Sequence, residues 1–224
     1  LATVTVSTHI EQYVAKTSGV LNCSTIHNAY NPAWKQETSL DDLPATNYIL
    51  CYGRLHDGIK DLSFLIHSFN ASRVWKDGVS LVIMGDGPDK KMLQDLAVSM
   101  PCNKHIVFSP FTKSPFGIIK NARCVTLTSF YEGFPMVLVE SLSVGVPVVS
   151  LDIVSGPSEI IQHNYNGLLV KERDPEKFAD ALGVICRDEV LYLKLKAQTQ
   201  GSVQQFSMQE ISAKWDKLLQ HVIR

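Results

Sequence analysis

The stretch SFYEGFPMVLVESLSVGVPVVS, residues 129–150, decides how the rest of the chain is read. It follows an apolar run (Cys124, Val125, Leu127) and passes through a short loop, Tyr131-Glu132-Gly133-Phe134. It ends in a second apolar run, residues 146–149. Pro135 and Gly145 are start and stop signals for a helix between them: proline suits the first helical position, and glycine the position just past the last. The resulting order of strand, loop, helix and strand leaves two carboxylates in unusual places. Glu132 lies in the loop, and Glu140 lies within a helix that is otherwise almost wholly apolar.

A helix N-terminus presents unpaired backbone N–H groups and a partial positive charge, which makes it an anion site. Gly133 has no side chain to keep a ligand away from the backbone. A bound phosphate repels a carboxylate, so Glu132 should turn toward a neutral, hydroxyl-bearing part of the ligand. Glu140 lies about 7.5 Å further along the axis than Pro135, at 1.5 Å per residue. This arrangement suits a ligand with a diphosphate in the middle and a sugar at each end, because a carboxylate can accept from neighbouring hydroxyls. A plainer reading stays open, with Glu132 as a loop charge favoured by the helix dipole and Glu140 facing solvent. Against a solvent-facing Glu140 stand Val137, Leu138, Val139, Leu142 and Val144, in whose company a carboxylate needs a partner.

Outward from this stretch, short apolar strands alternate with helical patterns. Strands are expected at 48–52, 80–84, 105–108, 123–128, 147–150 and 167–170. Helices are expected between them at 60–71, 89–99, 115–121, 135–144 and 157–162, followed by three more at 175–186, 189–200 and 208–222. This pattern argues for an α/β, Rossmann-like doubly wound parallel sheet with helices on both faces. Six strands fit the order 3-2-1-4-5-6, with ligand at the switch point between the first and fourth. The loop after the first strand is Gly53-Arg54-Leu55-His56-Asp57-Gly58-Ile59-Lys60. Topology therefore brings Arg54 and Lys60 to the crevice that holds Glu132 and the helix start. A guanidinium fork and an ammonium point charge can neutralise a diphosphate without a metal. Taken singly, each reads equally well as a solvated surface charge.

Upstream, a strand near 2–6, a short helix at 11–16 and a strand near 24–27 precede a polar stretch, 31–46. Residues 1–46 are thus expected to lead in, and 47–224 to form the main domain. Gly85-Asp86-Gly87-Pro88 lacks the GxGxxG spacing of a nicotinamide fingerprint and reads as a strand-to-helix turn walling the pocket. In Ser155-Gly156-Pro157-Ser158-Glu159 the glycine either admits ligand or simply turns the chain.

Composition narrows the classes. The 224 residues are 45% hydrophobic and 19% charged with a formal net charge of −1, which gives no basic excess for nucleic acid. No apolar run approaches the roughly 20 residues of a membrane span. The opening Leu-Ala-Thr-Val has no signal-peptide character and reads as a cut from a longer chain. Cys23, Cys51, Cys102, Cys124 and Cys186 lack metal-ligand spacing and read as reduced, mostly buried thiols.

The segments GRLHDGIKDLSFLIHSF, VIMGDGP, SFYEGFPMVLVESLSVGVPVVS, SGPSEII and NGLLV occur in this order. From about residue 48 onward they resemble the C-terminal half of retaining glycosyltransferases of the two-domain GT-B fold, the family 4 group (glycosyl transferases group 1). Residues 2–31 resemble the segment that enters this half. The resemblance implies that Gly53, Arg54 and Lys60 hold the donor diphosphate, with the two cations stabilising it as leaving group. It also implies that Glu132 lies near the donor sugar and that Glu140 binds the ribose hydroxyls. Backbone amides of Gly133 and Phe134, at the helix start marked by Pro135, would face the phosphates and sugar. Ser109-Pro110-Phe111 falls where such enzymes hold the base. Catalysis would rest on Arg54, Lys60 and Glu132, with a UDP-sugar or GDP-sugar as substrate and no cofactor or metal.

The acceptor implied is a glycan or lipid-linked sugar held by an N-terminal domain, which is missing here. The pathway the resemblance implies is bacterial surface polysaccharide or lipopolysaccharide synthesis. The location expected is cytoplasmic, with peripheral attachment at the inner membrane face open to the full-length enzyme. Two positions depart from the family pattern: Asp61 stands where glycine or asparagine is frequent, and Pro110 where glycine is frequent. Two alternatives remain, a sugar-nucleotide epimerase of the same architecture and a nucleotide-sugar-binding module without chemistry of its own.

Overall fold

The computed structural model describes residues 3–20, 22–31, 43–44 and 47–222. The expected strand start at residue 2, most of the polar stretch 31–46 and the chain end at 223–224 lie outside the described residues. The main sheet is built from β3 (Tyr48–Tyr52), β4 (Ser80–Met84), β5 (Ile106–Ser109), β6 (Cys124–Leu127), β7 (Val148–Leu151) and β8 (Gly167–Val170). All neighbours pair in parallel, in the order β5-β4-β3-β6-β7-β8. This is the expected doubly wound order, with its switch point between β3 and β6.

The strands are apolar on both sides because helices cover both faces. Ile49 and Cys51 of β3 turn to the face covered by α3 (Leu62–Ser72), α4 (Lys90–Ser99) and α8 (Pro175–Arg187). Tyr48 and Leu50 turn to the face covered by α5 (Phe116–Asn121) and α6 (Met136–Ser143). Phe69 and Phe178 on the first face and Leu138 and Leu142 on the second are fully buried, each contributing on the order of 2 kcal/mol. Helix α8 begins as its sequence dictates: Pro175 opens it, and the Asp174 side chain accepts from the amide of Glu176.

Two further helices, α9 (Glu189–Ser202) and α10 (Met208–Val222), follow α8, and a one-turn helix, α7 (Pro157–Ile160), links β7 to β8. The lead-in segment forms a small parallel unit of β1 (Thr3–Thr5), α1 (Thr8–Ser18) and β2 (Cys23–Thr25). It is fastened to the main sheet by Glu159, which accepts from the Thr8 amide at 3.0 Å and lies 2.9 Å from His27 Nε2. The His27 ring sits 4.8 Å from that of Phe134 and 5.2 Å from that of Phe206.

One expected helix is divided. The pattern over 60–71 resolves into α2 (Asp57–Lys60) and α3, because Asp61 between them takes φ 48°, in the left-handed region. Glycine and asparagine adopt that conformation at lower cost than most residues do. Pro135 is extended and precedes the first helical residue, Met136, by one. All five cysteines are free, with Cys51, Cys102 and Cys124 buried.

Candidate functional site

The loops after β3 and β6 meet at the carboxyl end of the sheet. The first is shaped by its contact with the loop after β4. Gly53 takes φ 140° and donates its amide to the carbonyl of Met84 at 3.0 Å, and the Leu55 amide donates to Asp86 O at 2.8 Å. A Cβ on Gly85 would lie 1.9 Å from Gly53 O, and one on Gly87 would lie 2.2 Å from Leu55 O. The Gly85-Asp86-Gly87 turn therefore lets two backbones touch, and its glycines support the Arg54 loop from behind.

The one-turn helix α2 then delivers Lys60 toward the β6 loop. Thr128 Oγ1 donates to Lys60 O at 2.9 Å, and the Phe130 amide donates to Ile59 O at 2.8 Å. Lys60 Nζ lies 2.6 Å from Glu132 Oε1, an oxygen that also accepts from Ser129 Oγ at 2.6 Å. Arg54 is exposed, and among the described residues its guanidinium has no partner. It lines a narrow crevice with Gly53, Lys60, Thr128 and Ser129.

On the other side of Gly53 opens a cleft of about 670 Å³, lined by Tyr52, Gly53, Met84, Phe111, Val137 and Glu140 among others. Glu140 is not turned to bulk solvent. Its Oε2 accepts from the Tyr52 hydroxyl at 2.6 Å, and that hydroxyl also lies 3.2 Å from the carbonyl of Val137. Burial raises the Glu140 carboxyl above its ordinary value, against the lowering effect of the Tyr52 bond. Burial also pushes the Tyr52 hydroxyl well above its usual range, and the neighbouring carboxylate adds to this. Tyr52 therefore stays protonated and donates. Phe111 stands at the rim with 66% of its surface exposed, free to lie against a flat ligand.

The remaining loop positions have mixed surroundings. Gly133 is exposed, and a Cβ there would lie 3.5 Å from Val6 and 4.0 Å from Ile10, so the lead-in unit stands at that face. The Phe134 side chain is buried between His27 and Phe206. Gly156, with φ 98°, packs on Pro135: a Cβ there would lie 2.3 Å from Pro135 Cδ. Ser155 donates its hydroxyl to the carbonyl of Glu132. The Ser155-Gly156 turn is thus a brace behind the Glu132 loop.

Arg54, Lys60, Glu132 and Glu140 therefore gather around the same β3–β6 junction, with Gly53 common to the crevice and the cleft. Sequence reasoning missed Tyr52, Ser129 and Arg173. Tyr52 had a signal, because the alternation Tyr48, Leu50, Tyr52 puts it on the face of α6. Arg173, which donates to the carbonyls of Thr128 and Ser129, had none: it lies 44 residues from its partner Ser129.

Comparison with known proteins gives concordant findings. The profile of the family "Glycosyl transferases group 1" matches residues 34–201, three quarters of the 224-residue chain. The lipopolysaccharide 1,6-galactosyltransferase of Escherichia coli is 32% identical over 178 residues, covering 75% of this chain and 48% of that protein. An alpha-1,4-N-acetyl-D-galactosaminyltransferase of Campylobacter jejuni, acting on an undecaprenol-linked sugar by its name, is 27% identical over 194 residues, covering 86% of this chain and 54% of that protein. The chain thus spans about half the length of these relatives. Among solved structures, TarM of S. aureus in complex with UDP superposes with a TM-score of 0.84 at 22% identity, over 97% of this chain and 43% of that one. Anabaena HepE in complex with UDP and glucose gives 0.86 at 18%, over 98% of this chain and 63% of that one.

Proposed function

The chain belongs to the glycosyl transferases group 1 family, and from that membership we propose that it is the donor-binding half of a retaining, metal-independent glycosyltransferase. The observation that carries this reading is the junction at Gly53, where a crevice with Arg54 and Lys60 opens beside a cleft with Glu140 and Phe111. The cleft suits a nucleoside, with the ribose hydroxyls on Glu140 and the base against Phe111. Arg54 and Lys60 at the crevice offer the cations for a diphosphate lying across its mouth, and Glu132, paired with Lys60, is the carboxylate we assign to the attached sugar. In the complete enzyme the bond between the anomeric carbon and the phosphate oxygen breaks with its electron pair leaving on the diphosphate, while the acceptor hydroxyl oxygen bonds to the same face of that carbon and its proton passes to the departing phosphate oxygen. Arg54, Lys60 and the N-terminus of α6 stabilise that growing charge, in the way preorganised electrostatics usually supply the largest catalytic share.

The acceptor is a glycan or lipid-linked sugar of a bacterial surface polysaccharide or lipopolysaccharide, bound by an N-terminal domain to which residues 1–46 lead. Without a positioned acceptor, this chain binds donor but transfers sugar poorly. The protein works in the cytoplasm. Among the described residues no helix is long and apolar enough to cross a membrane.

Calorimetric titration with UDP and GDP tests the reading. UDP comes first because the two structural neighbours named above hold it. One of the two nucleotides is expected to bind, and Arg54→Ala to cost roughly 2 kcal/mol or more of that affinity. Binding of neither nucleotide, or equal binding by Arg54→Ala, overturns the assignment.

A further inference from the structure

The carbonyls of Thr128 and Ser129 leave the end of β6 in a buried loop, both residues being 1% exposed. Buried carbonyls need donors, and past the end of β6 the ladder with its neighbours has stopped. The donors come from outside the element. Arg173, three residues past the end of β8, donates Nη1–H to Thr128 O at 2.9 Å and Nη2–H to Ser129 O at 2.6 Å. The same guanidinium pairs with Asp61 Oδ2 at 2.5 Å and lies 4.2 Å from the centre of the Phe130 ring. One planar group thus touches the residue after Lys60 and the three residues that open the Glu132 loop.

We propose that Arg173 is a positioning residue: anchored on Asp61, it holds the Thr128–Phe130 turn so that Glu132 is presented at Lys60. The functional consequence rests on the donor-site reading above. Each link runs through a hydrogen bond. Phe130 is tied to Ile59, Thr128 to Lys60 and Asp61, and Ser129 to Glu132 itself. Remove the guanidinium and two buried carbonyls lose their donor. The turn then gains by rotating them toward water, and Glu132 is carried with it. The proposal also explains why this chain keeps an aspartate where the backbone favours glycine or asparagine. A carboxylate at residue 61 orients the guanidinium, and neither of those residues supplies that charge.

The test follows amide hydrogen exchange in the chain itself and in Arg173→Gln, Arg173→Lys and Asp61→Asn, with the unfolding midpoint of each as control. Asp61→Asn keeps a residue that tolerates the left-handed conformation while removing the anchor. In Arg173→Gln the Phe130 amide should exchange on the order of tenfold faster, with amides of β6 unchanged and the unfolding midpoint nearly so. Asp61→Asn should loosen the same amide less. Arg173→Lys should not restore protection, because one ammonium cannot span both carbonyls and the carboxylate. A second readout compares UDP and GDP with UDP-galactose and GDP-mannose. Whichever bare nucleotide binds the unaltered chain should bind Arg173→Gln at least as tightly, because Lys60 is released from Glu132, and the difference between it and its sugar conjugate should be lost. Unchanged exchange at Phe130, full rescue by lysine, or loosening spread evenly over the sheet overturns the proposal. If no nucleotide binds the unaltered chain, the donor-site reading fails, while the exchange data still decide whether Arg173 holds the turn.

Discussion

Lys60 Nζ lies 2.6 Å from Glu132 Oε1 across 72 residues of sequence, with the two side chains 24% and 15% exposed. The cation proposed for the diphosphate and the carboxylate proposed for the sugar are therefore paired with each other. On that proposal, a donor entering the site competes with Glu132 for Lys60 and in doing so frees the carboxylate.

That competition predicts that Glu132→Gln tightens the binding of the bare nucleoside diphosphate. The pair is partly exposed, so its strength is up to about 1 kcal/mol, or about fivefold in affinity. Calorimetry with UDP and GDP should show this gain, while sugar transfer by a full-length enzyme carrying the same change falls. Weaker nucleotide binding in Glu132→Gln would show that the carboxylate supports the diphosphate directly.

The Tyr52–Glu140 bond sets a pH dependence. Burial raises the Glu140 carboxyl, so the fold favours its protonated form. Its contribution to stability is therefore lost as pH rises from the ordinary carboxylate range through the raised folded value. Nucleotide affinity should rise over that same window, because the carboxylate accepts from two hydroxyls and the acid does so less well. Tyr52→Phe removes the one bond that holds the value down, which moves both curves to higher pH. An NMR titration of the Glu140 carboxyl checks this, and no upward movement in Tyr52→Phe refutes it.

The glycines behind the Arg54 loop give a stability prediction with an internal control. Gly85→Ala places a methyl against Gly53 O, where neither backbone can yield cheaply, at a backbone φ of 149°. It should cost about 2 kcal/mol or more in denaturant unfolding and also weaken nucleotide binding, because the Gly53-Arg54 backbone is displaced. Gly201→Ala, within α9 and with nothing within 4 Å of the added carbon, should stabilise by about 0.5 kcal/mol. If the two changes prove equivalent, the loop contact has no energetic weight.

Acid should release the lead-in unit. Burial alone would raise the Glu159 carboxyl, but the Thr8 amide and the His27 ring together hold it below its ordinary value. A carboxylate lowered in this way contributes stability above its unfolded value, and that stability is lost as pH falls through the folded value. The Thr8 amide resonance should shift in that acid window, ahead of the resonances of β3. Glu159→Gln should show the released position already at neutral pH. Persistence of the docked resonance in Glu159→Gln would place the fastening elsewhere, on Phe134 and Phe206.

Much of this molecule is legible without coordinates. Short apolar runs such as Tyr-Ile-Leu-Cys-Tyr at 48–52, bounded by turn residues, read as buried strands, and their alternation with helices points to a doubly wound parallel sheet. Topology then puts Arg54, Lys60, Glu132 and Glu140 at one edge, because ligand crevices form where the crossovers diverge. These are local signals, set by chain periodicity and by residues close in sequence.

What the folded chain alone decided is how those groups are paired and held. That Lys60 meets Glu132, that Glu140 takes the Tyr52 hydroxyl, and that Arg173 spans the Thr128 and Ser129 carbonyls depend on loop backbones placed to within an ångström. The physical reason is range. Hydrophobic periodicity acts over a few residues and survives in the bare sequence, whereas a hydrogen bond between residues dozens of positions apart exists only once every intervening element has packed.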